Sequence, residues 1–175
     1  MVLFLAPVLV LALAACSRGV NTAQSAGQPT GRSARTWPCF PPNQVKSNQI
    51  LVNGVRVVLG VVTVPPPYIP QTVKERVGPW RYWSKWGLFI RTGSPPVLVT
   101  VPQGWQHRAA INWGNDRGIA TSTVRLPSCP WPRGMWDAYA GGFYLRSSAA
   151  CVPLVFQVQR RTTTVRFGIG RHCGK

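Results

Sequence analysis

Acidic residues are almost absent from this sequence of 175 residues. Only Glu75, Asp116 and Asp137 oppose 20 Lys and Arg, and the formal net charge is +17. A charge of this size indicates an anionic environment or partner, because it acts through the electrostatic field rather than through the fold. Sixteen of the cations are Arg, whose guanidinium binds phosphate and carboxylate in bidentate fashion. GC-rich codon usage would also enrich Arg, so the composition leaves both explanations open.

The motifs of hydrolytic enzymes are also missing. The sequence contains no G-x-S-x-G motif, no phosphate loop and no C-x-x-C pair. Its two histidines, His107 and His172, are interpreted as surface or structural residues. We therefore predict a protein that is not an enzyme and has no metal and no cofactor. An exported hydrolase with one of these histidines as its base is the weaker alternative.

No apolar run is long enough to span a membrane. Residues 2–15 read VLFLAPVLVLALAA, whereas a spanning helix needs roughly 20 apolar residues. The run has the length of a signal-peptide core, and it ends in Leu13-Ala14-Ala15-Cys16. These four residues resemble the lipobox of bacterial lipoproteins. The resemblance implies cleavage before Cys16, fatty acylation (palmitate or similar chains) of the Cys16 thiol, and anchoring on the extracytoplasmic face of the cell membrane.

Three segments follow from this interpretation. We predict a signal peptide over residues 1–15, a lipidated N-terminus and flexible tether over 16–36, and a single domain over 37–175. The tether is rich in Ser, Gly, Thr and Gln and shows no apolar periodicity. Twenty such residues reach about 25 Å, which keeps the domain close to the membrane.

Four cysteines remain when Cys16 is set aside, and an exported domain would pair them in two disulfides. Three connectivities are possible. We predict Cys129–Cys151 and Cys39–Cys173, because Cys151 and Cys173 lie out of register across a predicted hairpin. Cys39 and Cys173 bracket the domain, whose ends are expected to lie close together.

A 3.6-residue apolar period is lacking, and 17 Gly and 17 Pro favour many short strands joined by turns. Asn53-Gly54 separates two β-branched runs and predicts a type I′ hairpin. Near the C-terminus, residues 152–158 and 165–169 alternate in apolar character on either side of Arg160-Arg161, which predicts a hairpin with the Arg pair at its tip. The fold class is thus predicted as all-β, an antiparallel β-sandwich of eight or nine short strands.

The tail YAGGFYLR…ACVPLVF…TVRFGIG…C, over residues 139–173, is similar to the C-terminal region of uncharacterised exported lipoproteins of high-GC Gram-positive bacteria. The similarity covers the last third of the chain. It implies a β-rich exported domain and brings no activity with it.

Two stretches are candidates for binding. Residues 78–91, GPWRYWSKWGLFIR, alternate so that Trp80, Tyr82, Trp86, Leu88 and Ile90 form a core face. The opposite face then mixes cations with two aromatics, a composition that suits phosphates, carboxylates and stacked rings. The second stretch is the Arg-rich hairpin near the C-terminus. The anion-binding candidates are Arg81, Lys85, Arg91, Arg160, Arg161, Arg166 and Arg171, and the aromatic surface candidates are Trp83 and Phe89. Packing of the aromatics beneath a loop is the alternative.

These observations predict a lipid-anchored extracytoplasmic module that binds an anionic wall polymer or anionic lipid headgroups without catalysis. The alternative is a structural or assembly lipoprotein that holds a membrane or envelope protein. Nucleic acid fits the charge, but an exported location argues against it.

Overall fold

A computed structural model describes residues 34–36, 44–46, 55–64, 69–114, 118–127, 129 and 135–174. Within these ranges the regular structure is fourteen strands and one 3-10 turn at Gln103–Trp105, with no α-helix. The all-β prediction is confirmed. The strands are β1 Arg35–Thr36, β2 Gln44–Lys46, β3 Arg56–Val58, β4 Val62–Val64, β5 Val73–Val77, β6 Trp80–Lys85, β7 Leu88–Arg91, β8 Val97–Thr100, β9 Ala109–Trp113, β10 Thr123–Leu126, β11 Met135–Tyr139, β12 Gly141–Leu145, β13 Ala150–Val158 and β14 Arg161–Ile169.

The strands form three sheets. Two have five strands, in the orders β1-β10-β8-β13-β14 and β2-β11-β7-β4-β3, and the third has four, in the order β5-β6-β12-β9. All pairs are antiparallel except the two-residue pair of β1 and β10. The predicted eight or nine strands are too few. Strands of only two or three residues, such as β1 and β2, are too short for alternation to reveal.

The predicted C-terminal hairpin is confirmed, but its turn lies one residue before the predicted Arg160-Arg161 tip, because Arg161 already pairs with Val158. Strands β13 and β14 pair over nine residues each, from Ala150↔Ile169 to Val158↔Arg161. The turn lies at Gln159, whose φ is 53°, and Arg160. Alternate side chains point inward and are buried, because period-two alternation places every second residue on the same face of a strand.

A second tight hairpin joins two short strands of the second sheet. Strands β3 and β4 are joined at Leu59 and Gly60, with φ values of 51° and 76°. The Val61 N–H donates to the Val58 carbonyl at 3.1 Å and closes this tight turn. Positive φ at both central residues is the geometry of a type I′ turn. The predicted turn at Asn53-Gly54 lies outside the described residues.

A corner joins the second and third sheets. The chain passes from β6 to β7 through Trp86-Gly87 and, on the neighbouring strands, from β11 to β12 at Ala140. The Trp86 N–H donates to the Gly141 carbonyl at 2.7 Å and continues the ladder across the corner. A Cβ on Gly142 would overlap the Ser84 carbonyl, so glycine is required there for close backbone approach.

One apolar core draws on all three sheets. Trp86 packs edge-to-face on Phe167 and Phe143, at centroid distances of 5.0 and 6.1 Å. Its carbonyl accepts a 2.7 Å hydrogen bond from the Trp113 indole N–H. Trp86, Leu88 and Ile90 are buried as predicted. The alternation also predicts Trp80 on this core face, but Trp80 lies in a second, smaller cluster.

Both predicted disulfide pairings are wrong, because Cys151 is bonded to Cys173, with a Cα–Cα distance of 5.2 Å. The two cysteines are indeed out of register, since Cys151 faces Gly168. The tail, however, bends at Gly170, where φ is 60°, and folds back so that the Cys173 N–H lies over Gly168. The bond spans 22 residues and contributes about 3 kcal/mol in the loop-entropy account.

Cys129 is also disulfide-bonded. Cys16 and Cys39 lie outside the described residues, together with the predicted signal peptide. Ser33–Lys175 form one compact unit, and β1 at Arg35–Thr36 pairs with β10. The last two residues of the predicted tether therefore belong to a sheet. Within the described ranges, no helix has the length and apolar character needed to cross a membrane.

Candidate functional site: a basic pocket on the β5–β6 hairpin

A partly open pocket of about 300 Å³ lies on the β5–β6 hairpin. Strand β5 forms one edge of the four-stranded sheet. The segment before it is held by two hydrogen bonds: the Ser84 hydroxyl donates to the Gln71 carbonyl at 3.2 Å, and the Thr72 hydroxyl donates to the Ser148 carbonyl at 3.1 Å. These bonds fix the position from which β5 starts. The pocket is lined by Lys74, Glu75, Arg76, Arg81 and Tyr82.

A β-bulge explains why three consecutive residues of β5 line the same pocket. Lys74 pairs with Tyr82 and Val77 pairs with Trp80, so three steps on β5 oppose two steps on β6. In a regular strand, Glu75 would point to the opposite face from Lys74 and Arg76. A bulge adds one residue and re-aims the side chains around it.

The electrostatics of the pocket favour an anion. Three cations and one carboxylate line it, which gives a formal charge of +2. Lys74, Arg76 and Arg81 are exposed, whereas Glu75 and Tyr82 are half-buried. Arg76 and Arg81 each offer a planar fork of N–H donors, which fits carboxylate and phosphate oxygens. The Tyr82 hydroxyl and the Lys74 ammonium supply further donors.

The structure divides the first predicted binding surface between two sheets. Arg81 lines the pocket, and Lys85 lies four residues further along β6, about 13 Å away at the usual strand rise. Arg91 is beyond the corner on β7, with its guanidinium carbon 5.3 Å from the centroid of the Trp136 ring. The alternation of residues 78–91 is real, but the chain changes sheets at Trp86-Gly87. One continuous face was therefore the wrong prediction.

The two aromatic candidates are likewise separated. Trp83 is half-buried on β6 and packs on Tyr144 with a ring-centroid distance of 4.6 Å. Phe89 is half-buried on β7, between Ala138 of β11 and Thr63 of β4 in the neighbouring sheet. The two rings therefore belong to different surfaces.

The second predicted patch is a line of cations rather than a cluster. Arg161 and Arg166 are five residues apart on β14, about 17 Å at the usual rise, and Arg171 follows the end of the strand. The Arg161 guanidinium donates to the Leu59 carbonyl at 3.1 Å, so this side chain ties the hairpin to the turn between β3 and β4. Arg160, Arg166 and Arg171 are exposed.

Sequence reasoning missed Lys74, Arg76 and Tyr82 as parts of one site. The charged triplet Lys74-Glu75-Arg76 carried the signal. The alternation of residues 78–91, however, predicts Tyr82 on the core face alone. The bulge that gathers these residues has no marker in the sequence, since neither Gly nor Pro occurs within β5.

A buried polar group close to Cys129 has a structural role. The Cys129 N–H donates to the Asp137 carboxylate at 3.3 Å, and the Tyr139 hydroxyl donates to the Pro127 carbonyl at 2.9 Å. Burial raises the pKa of Tyr139 well above its usual value, and the charge of Asp137 raises it further. These bonds hold the segment around Cys129 against β11.

The histidines and cysteines of the described chain are not arranged for nucleophilic or metal chemistry. His107 and His172 are both exposed, and Cys151 is bonded to Cys173, so it is not available as a nucleophile. In the described part of the chain, no group of three or more His, Cys, Asp or Glu side chains is placed to hold a metal ion.

Comparisons with protein-family models, with curated proteins and with solved structures found no match to this chain. The lipobox resemblance of Leu13-Ala14-Ala15-Cys16 and the similarity of residues 139–173 to exported lipoproteins therefore stay predictions from the sequence. The ligand of the basic pocket is inferred from its charge, its donors and its position.

Proposed function

We propose that this protein is a lipid-anchored, extracytoplasmic module that binds an anionic component of the cell envelope without catalysis. The basic pocket supports this proposal most directly, because three exposed cations converge there with a single carboxylate. The net charge of +17 would attract an anionic polymer or surface over a Debye length, about 8 Å at physiological salt. Acylation of Cys16 would keep the domain within reach of the membrane.

The architecture suits such a role. We propose a β-sandwich, since the inward side chains of the three sheets meet in one core, as those of two packed layers do. A rigid sheet holds the donors of the pocket in fixed positions, and less ordering entropy is then lost on binding.

The proposal is tested by removing the pocket cations together. We expect the triple variant Lys74→Gln, Arg76→Gln, Arg81→Gln to bind phosphatidylglycerol vesicles or purified cell-wall fragments about a hundredfold more weakly, since each cation near an anionic surface contributes about 1 kcal/mol. Sedimentation at low and high salt measures both the affinity and its salt slope.

The matched control is Arg160→Gln, Arg166→Gln, Arg171→Gln, which removes the same charge outside the pocket. Its loss should be tenfold or less, because these side chains lie along one hairpin rather than around a pocket. Equal losses in the two triple variants would refute the pocket as the site. Binding that does not change with salt would refute the electrostatic mechanism altogether.

A further inference from the structure

An apolar row crosses all four strands of the third sheet. Val73 of β5 faces Trp83 of β6, Trp83 faces Tyr144 of β12, and Tyr144 faces Ala110 of β9. Phe143 and Leu145, which alternate with Tyr144 along β12, belong to the main core. The row is therefore on the opposite side of the sheet from that core, and we call this side the Trp83 face.

Aliphatic side chains are exposed at Val73, one end of the row, and at Ile119, near the other end, whereas Tyr144 and Ala110 within the row are 1% and 4% exposed. Val73 is 56% exposed and Ile119 is 41% exposed, and they are two of the three large apolar residues most open to solvent in the described chain. Ile119 belongs to the Trp83 face because its neighbours are fixed there. The Gly118 N–H donates to the Tyr144 hydroxyl at 2.9 Å, and Ala120 packs against the cluster.

Cations border the row. Lys85 lies two residues after Trp83 on β6, hence on the same face, and it is exposed. Arg146 follows Tyr144 by two residues, and its guanidinium carbon is 5.9 Å from the centroid of the Trp80 ring. Arg81 of the basic pocket precedes Trp83 by two residues on β6, hence it also lies on this face.

We infer that the Trp83 face rests on an anionic lipid bilayer, with Val73 and Ile119 entering the headgroup region and the surrounding cations contacting lipid phosphates. The inference rests on the proposed function and names the anion as a lipid headgroup. The half-buried ring of Trp83 suits the interface between headgroups and acyl chains, which amphipathic Trp rings favour. Apolar contact and cation attraction together determine the strength of such binding.

A wall polymer explains this face less well. A polyanion binds cations and can stack on aromatic rings, but it offers no hydrocarbon into which exposed Val and Ile side chains could transfer. An anionic bilayer binds the cations through its phosphates and takes up the apolar side chains, because transfer of apolar surface out of water is favourable. The tether, whose reach is about 25 Å, would allow the face to lie flat on the membrane in which Cys16 is anchored.

An environment-sensitive fluorophore placed on the full-length protein tests the orientation. The chain is reconstituted in vesicles of phosphatidylcholine alone or with a third phosphatidylglycerol, and the probe is attached at Val73→Cys or Ile119→Cys. We expect blue-shifted emission and loss of most iodide quenching at both positions in the anionic vesicles. High salt should reverse both effects.

The matched control is Val57→Cys. Val57 is a 36% exposed valine on β3, which lies in the neighbouring sheet. The probe at residue 57 should stay accessible to iodide in vesicles of either composition. Protein without an added cysteine, treated with the same fluorophore, measures any labelling of native thiols. Equal iodide quenching of the probes at residues 73, 119 and 57 would overturn the inference. Protection of the probes from iodide that appears only when cell-wall fragments are added would also overturn it. If salt-sensitive binding persists while both probes stay in water, the proposed function survives and this orientation fails.

Discussion

At the scale of single residues, burial is determined by a side chain's position on its own strand, whereas the basic pocket combines side chains of two strands. Leu88 and Ile90 are fully buried as their positions in the sequence indicate. The sequence predicts Arg81 as an anion-binding residue because aromatic residues alternate with cations along β6. Its partners in the pocket, Lys74 and Arg76, come from β5. Burial follows from a residue's own apolarity, whereas a binding site depends on contacts between strands that a single strand's pattern does not contain.

Tyr139 gives a residue-scale prediction. Burial raises its pKa, so the unfolded chain ionises first, and the stability that the neutral hydroxyl contributes is full below about pH 10 and declines above it. Tyr139→Phe should cost about 1 to 3 kcal/mol near neutrality, because the Pro127 carbonyl loses its donor. The variant should also lose stability less steeply in alkali. Urea unfolding near neutrality and at about pH 11 measures both effects, and an equally steep alkaline loss in the variant would contradict this account.

At the scale of elements, the long strands could be predicted and the irregular ones could not. The β13–β14 hairpin follows from period-two alternation over residues 152–158 and 165–169. The β5 bulge and the corner at Trp86-Gly87 were not predicted, because the local sequence continues to alternate through the corner. The tail that brings Cys173 to Cys151 was also missed, since that bond depends on how the chain folds back after β14.

The corner between the sheets provides an element-scale prediction. A Cβ on Gly142 would overlap the Ser84 carbonyl, whereas one on Gly87 would meet nothing within 4 Å. Gly142→Ala should therefore destabilise the fold by roughly 3 kcal/mol or more, since the backbone must move apart. Gly87→Ala at the same corner is the control and should change the stability by about 0.5 kcal/mol or less. Similar urea midpoints for the two variants would show that the corner does not require close backbone approach.

At the scale of the whole molecule, the composition predicts more than the fold does. The net charge of +17 favours an anionic partner, and the apolar run that ends before Cys16 underlies the proposal of a lipid anchor. An all-β core by itself is compatible with many functions. The five cysteines relate the fold to the proposed anchor, because a cysteine that is acylated is not available for a disulfide. Cys151 is bonded to Cys173, and Cys129 is also disulfide-bonded. If Cys16 is acylated, as we propose, we expect Cys129 to pair with Cys39.

Mass spectrometry of the native protein, intact and after non-reducing digestion, tests the central claim of an anchored, exported and oxidised module. The account predicts a chain that starts at an acylated Cys16, has no free thiols, and links Cys129 to Cys39. A chain that retains Met1 with an unmodified Cys16, or a bond between Cys129 and Cys16, would contradict it.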